Sequence, residues 1–66
     1  MITDKDLLGY LENLLKLELQ AECTYRELAN RINDNKLKTA LHSLAVHEAG
    51  HAREVLNLMH VINGSG

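Results

Sequence analysis

Along the first half of the chain, Leu7, Leu11, Leu14, Ala21, Tyr25, Leu28 and Ile32 recur in alternating steps of four and three, with Glu18 filling the one place in the row that is not apolar. This alternation is the seam of an antiparallel helix pair or a four-helix bundle. The second half repeats it through Leu37, Leu41, Leu44, Glu48, His51, Val55, Leu58 and Ile62, with two ionisable residues at its middle. Thr3, followed by Asp6 in the manner of a capping box, opens the first helix, and Asn33-Asp34-Asn35 reads as the turn. Asp34 or Asn35 caps the second helix, and Asn63-Gly64 supplies a C-terminal stop. The pattern predicts one helical-hairpin domain over residues 1–66: a helix at about 4–32, a turn at about 33–36, a helix at about 36–62 and a tail at 63–66, with Ser65-Gly66 frayed.

Composition sharpens this to an all-α fold. Proline is absent, the only aromatic residues are Tyr10 and Tyr25, and Leu, Ala, Glu, Lys and Asn are the helix-forming majority. Glu12/Lys16, Glu22/Arg26 and Glu27/Arg31 are i, i+4 pairs in the favourable acid-first order, on what reads as solvated surface. Gly9 and Gly50 weaken their helices slightly, and Gly50 leaves room for another backbone. Further apolar residues beside the seam, Leu8, Leu15 and Ala29 in the first helix and Ala45, Ala49 and Leu56 in the second, widen the sticky face and predict subunit contacts on more than one side.

A chain of 66 residues buries little apolar surface, so a staple or a partner is expected. Cys23 is the single cysteine and cannot form an internal disulfide; it reads as an inert, partly buried thiol in a reducing compartment. A net charge of −2 with interspersed signs provides neither a basic patch for nucleic acid nor a polybasic face for a membrane. With no leader-like segment and no long apolar run, a soluble, cytoplasmic protein is expected.

The polar interruptions carry the chemistry. A turn centred on 33–36 puts Glu18 opposite His51, so Glu18, Glu48 and His51 fall at one level of the hairpin. A carboxylate in an apolar seam costs several kcal/mol unless it is protonated, paired or bound to a cation, and one metal ion accounts for all three groups. Glu with His suits iron, manganese or zinc, whereas calcium and magnesium favour oxygen ligands alone. One hairpin has three such side chains. A second copy closing a four-helix bundle brings four Glu and two His, the inventory of di-iron and di-manganese carboxylate bundles. Glu48 would then bridge two metals near a two-fold axis, with Glu18 and His51 terminal.

His47-Glu48-Ala49-Gly50-His51 also matches H-E-x-x-H, in which two histidines hold zinc and the glutamate is a general base. At about 100° per residue, Glu48 and His51 each lie about 30° from the centre of the seam and His47 about 70° off it. A zinc hydrolase needs His47 and His51 to converge, a third ligand and a cleft, so E-x-x-H is the favoured reading. His42 and His60 fall on the far side of the helix as surface residues.

Glu18-x-x-Ala21-x-x-x-Tyr25-x-x-Leu28-Ala29, a short turn, and Leu44-Ala45-x-x-Glu48-x-x-His51-Ala52-x-x-Val55-Leu56 together resemble one half of a ferritin-like bundle, in the style of rubrerythrin and bacterioferritin. The similarity covers about residues 11–62, and the architecture is similar to that of encapsulated ferritins, two-helix chains that build di-iron sites between subunits. The resemblance implies a hairpin that dimerises into a four-helix bundle, with Glu18, Glu48 and His51 as iron ligands and Tyr25 hydrogen-bonded to a ligand carboxylate. It also implies Fe(II) oxidation by oxygen or peroxide, with iron as the metal and a second copy of the chain as the partner. Three departures bear on this: the chain holds one half of the bundle, it lacks the C-x-x-C knuckles of full rubrerythrins, and no encapsulin-loading tail follows Ile62.

Plainer readings stand beside these. Glu18 and His51 can ion-pair without metal, in a non-enzymatic hairpin dimer whose polar layer fixes register. Tyr25 can fill core volume, Glu22, judged to lie off the seam, can serve Arg26 alone, and His47 can be a surface histidine.

Overall fold

In a computed structural model, described for residues 1–64, the chain forms two helices, α1 (Asp4–Arg31) and α2 (Asn35–Ile62), of 28 residues each. They pack antiparallel in a molecule 48 Å long. The Thr3 hydroxyl accepts from the Asp6 N–H at 3.1 Å, and Asp4 and Asp6 place negative charge at the positive end of the α1 dipole. The cap of α2 is Asp34, whose Oδ1 accepts from the Leu37 N–H at 3.0 Å. Ile32 and Asp34 are both extended, so the connection is Ile32-Asn33-Asp34, shorter than the expected 33–36 and centred on Asn33. At the far end, Gly64 adopts φ +75°, the left-handed conformation that glycine takes without penalty, and its N–H reaches the Val61 carbonyl. The tail residues Ser65-Gly66 lie outside the described residues.

The hairpin seam differs from the expected one at six of its sixteen positions. Leu7, Leu11, Glu18, Ala21, Tyr25 and Ile32 of α1, and Leu41, Glu48, Val55 and Ile62 of α2, are buried or half-buried as expected. They are joined by Leu8, Leu15, Glu22 and Ala29, and by Lys38, Ala45, Ala52 and Met59, each one residue later than an expected position. Leu14, Leu28, Leu37, Leu44 and Leu58, expected inside, are exposed. The physical reason is side-chain size: Ala29, Ala45 and Ala52 let the helices approach closely, and all three are buried. By the handedness of the α-helix, the two displaced leucine rows open on the same side of the hairpin. Tyr10, Leu17 and Val61 lie farther round on that side, all exposed.

The molecule is under-buried for its mass. Its radius of gyration is 15.0 Å, against about 11 Å for a compact domain of this length. Its accessible surface is 5171 Å², against about 4,200 Å² for a compact monomer of 7.4 kDa. Glu22 and Arg26 pair at 3.0 Å and Glu27 and Arg31 at 3.9 Å. Cys23 is exposed, correcting the expectation of a partly buried thiol: it lies on the side of α1 turned away from the leucine rows. Among the described residues no helix is long and apolar enough to cross a membrane.

Candidate metal centre

Glu18 stands at the midpoint of α1 and Glu48 at the midpoint of α2, both on the seam, and the antiparallel packing brings them to one level. His51, one turn beyond Glu48, is displaced from the seam towards the open leucine side and turns Nδ1 back to the carboxylates. Nδ1 lies 3.4 Å from Glu18 Oε2 and 3.8 Å from Glu48 Oε1. One donor atom from each of the three residues lies within 4.8 Å of the others. The expected level is therefore the observed one, although the shorter turn puts Glu48 more nearly opposite Glu18.

Burial is graded across the group. The side chain of Glu18 is 13% exposed, that of Glu48 25% and that of His51 57%. Glu18 Oε2 is fully buried without a hydrogen-bond partner, the only such side-chain atom among the described residues. His51 Nδ1 is near enough to attract it when protonated but is not aligned as a donor. A buried acceptor left unmatched costs about 1–3 kcal/mol, more when charged.

The donor set fits a transition-metal ion. Metal–ligand bonds of about 2.0–2.2 Å set neighbouring ligand atoms roughly 3.0–3.4 Å apart. The observed separations, from 3.4 Å upward to a limit of 4.8 Å, need only small side-chain rotations to close. A cation there would give Glu18 Oε2 the partner it lacks and neutralise two carboxylates facing each other at the seam. The fourth and later coordination positions are not supplied by the same hairpin, and the open side of the group is the leucine side.

The other candidates fall outside this group. His47 is exposed and does not join the cluster, so the two histidines of H-E-x-x-H do not converge. Tyr25 is half-buried beside Leu17, Gln20, Ala21 and Thr24, and among the described residues its hydroxyl makes no hydrogen bond to Glu18 or Glu48. Glu22 lies in the seam row, not off it, but its carboxylate is engaged by Arg26. His42 and His60 are exposed, as expected. A Cβ added at Gly50 would meet nothing within 4 Å, so no backbone of the hairpin uses the room it leaves. Sequence reasoning underrated Ala45, assigned to the margin of the sticky face, and Ala52, noted only within the motif that carries the resemblance; their signal was a seven-residue spacing of small side chains bracketing Glu48.

In comparisons with known proteins, no family model matches the chain, and no curated protein and no solved structure gives a significant match.

Proposed function

We propose that this chain is a homo-oligomeric di-iron carboxylate protein that oxidises Fe(II) at a site shared between two copies. One observation carries the reading: Glu18, Glu48 and His51 gather within 4.8 Å at mid-length of both helices, on the edge of an uncovered apolar face. A second hairpin laid on that face by a two-fold axis, either along or across the helices, brings its own cluster to the same level. Four glutamates and two histidines then surround a pair of metals, with Glu48 bridging and Glu18 and His51 terminal. The bundle so formed is a ferritin-like one, in keeping with the resemblance of the two halves of the hairpin to rubrerythrin, bacterioferritin and the two-helix encapsulated ferritins.

Area supports a second copy as the cover. A compact dimer of twice 7.4 kDa should expose about 7,000 Å², so pairing two hairpins of 5171 Å² removes about 3,400 Å² in total. This lies within the range of obligate homodimers, about 2,000–5,000 Å².

Fe(II) is the substrate in this reading, drawn in by the carboxylates, and a pair of ions supplies the two electrons that reduce oxygen to hydrogen peroxide or peroxide to water, with protons taken from solvent. Glu18 and Glu48 hold the charge of the product Fe(III) better than that of Fe(II), which favours oxidation. The same donors suit manganese or zinc. A cytoplasmic setting fits a chain whose one thiol is free.

The test is native mass spectrometry after anaerobic loading with Fe(II), followed by exposure to air. Two irons per pair of chains, absent from Glu48→Ala, together with iron-dependent absorbance growing in air, are expected. Metal-free dimers indifferent to iron would overturn the reading. They would favour a purely structural polar layer, for which the approach of His51 Nδ1 to Glu18 Oε2 at 3.4 Å speaks.

A further inference from the structure

We propose that Ala45 and Ala52 are positioning residues that set the width of the Glu18–Glu48–His51 cage; the inference rests on the reading of that cluster as a metal site. Ala45 is 0% exposed and Ala52 4%, and they flank Glu48 on the face turned to α1. They stand where a hairpin with a leucine seam would carry its larger side chains, while Leu37, Leu44, Leu56 and Leu58 of α2 are exposed.

Helix axes pack about 8–10 Å apart, according to the side chains at the contact. Alanine on both sides of Glu48 favours the lower end of that range at the level of the carboxylates. The cluster has little slack. Its donor atoms span up to 4.8 Å, and bonds of about 2.0–2.2 Å allow one ion to bridge at most about 4.4 Å. Side-chain rotation closes that gap at the present spacing; a wedge opening the helices by a further 1–2 Å, roughly the packing range itself, does not leave it closable. Glu18 sits opposite on α1, so a retreating α2 carries Glu48 and His51 away from its buried, otherwise unpartnered Oε2.

Ala29 is the natural control. It is 0% exposed in the same kind of seam position on α1, but lies three helical turns from Glu18 towards the connection. If the alanines matter only for packing, a wedge there should act like a wedge at the centre.

The experiment is an anaerobic Co(II) titration read by visible absorption, with far-ultraviolet circular dichroism in parallel, on the wild-type chain and on Ala45→Leu, Ala52→Leu, Ala29→Leu and Ala45→Ser. The leucines at 45 and 52 should weaken Co(II) binding by about tenfold or more and alter the visible band, as expected when support for a metal ligand is displaced. Ala29→Leu should keep the wild-type band, and Ala45→Ser, which adds no wedge, should bind like wild type. Wild-type affinity and spectrum in either central leucine variant would overturn the inference, as would equal loss in Ala29→Leu. Where a leucine variant has lost its helicity, valine at the same position carries the comparison and is judged by the same two outcomes. If the wild-type chain binds no Co(II), the metal reading itself has failed and the inference falls with it, a result separate from metal binding that ignores the alanines.

Discussion

Replacing Glu18 by methionine should make the metal-free protein more stable and the metal-loaded protein less so. In the hairpin, Glu18 presents a fully buried Oε2 with no hydrogen bond, and its side chain as a whole is 13% exposed. Removing an unmatched buried acceptor recovers about 1–3 kcal/mol. Methionine has a similar length and volume and adds apolar burial one turn from the half-buried Leu15, so a net gain of about 2 kcal/mol is expected. For a domain of this size, each kcal/mol moves the thermal midpoint by roughly 4–8 °C. Loading should reverse the order: a cation at a hundred times its dissociation constant stabilises the wild-type chain by about 2.7 kcal/mol and has no site in Glu18→Met. The assay is thermal unfolding followed by circular dichroism at matched protein concentration, with and without Mn(II) or Co(II). Two melting curves that cross on adding metal are the expected result. A metal-free variant that melts below wild type would refute the premise that Glu18 is an uncompensated burden. A variant that gains as much from metal as wild type would refute its role as a ligand.

The remaining predictions separate fold from assembly. Leu14→Lys with Leu44→Lys should convert dimers to monomers in sedimentation and abolish the dependence of melting on protein concentration, because both leucines are exposed on the side that the hairpin does not use. Asp34→Ala should cost about 1 kcal/mol, read as a lower melting midpoint, through loss of the 3.0 Å cap to the Leu37 N–H. Tyr25→Phe should leave the melting of the metal-free protein within about 0.5 kcal/mol of wild type, since the hydroxyl satisfies no partner among the described residues.

The helices, their caps and the level of the polar cluster could be read from the chain because each depends on local spacing. Thr3 and Asp34 precede apolar rows of helical period, and the midpoints of those rows carry Glu18, Glu48 and His51. Register around the helix axis was less legible. The apolar arc of each helix is wider than one interface, and Leu14 and Leu15, or Leu44 and Ala45, are neighbours with equal claims on hydrophobicity. Packing distance decides between them, and distance depends on both helices together: alanines on α2 admit Leu8 and Leu15 of α1 and turn the leucine rows outward. Single-helix periodicity has no access to that choice. Two of the three acid-first pairs were legible for the opposite reason: Glu22/Arg26 and Glu27/Arg31 require nothing beyond their own turn, while Glu12 and Lys16 are not among the ion pairs of the described residues.

The division of the arc into two stripes also explains why the three residues of the cluster differ in exposure. Glu18 and Glu48 belong to rows consumed by the hairpin, whereas His51 belongs to a row left for something else, and it is correspondingly the most exposed of the three. A site meant to be complete within one hairpin would gain nothing from a histidine on the outer row, where water competes for its ring and the chain supplies no further donor. On the proposed reading the outer row is the second interface, and covering it buries His51, excludes water from the carboxylates and adds the missing ligands in one step. Assembly and metal binding then become a single linked equilibrium, because each ion contacts residues that only the pair of hairpins brings together. It follows that Leu14→Lys with Leu44→Lys should weaken metal binding without altering any of the three ligands, and Glu48→Ala should weaken metal-loaded pairing without altering the leucine face.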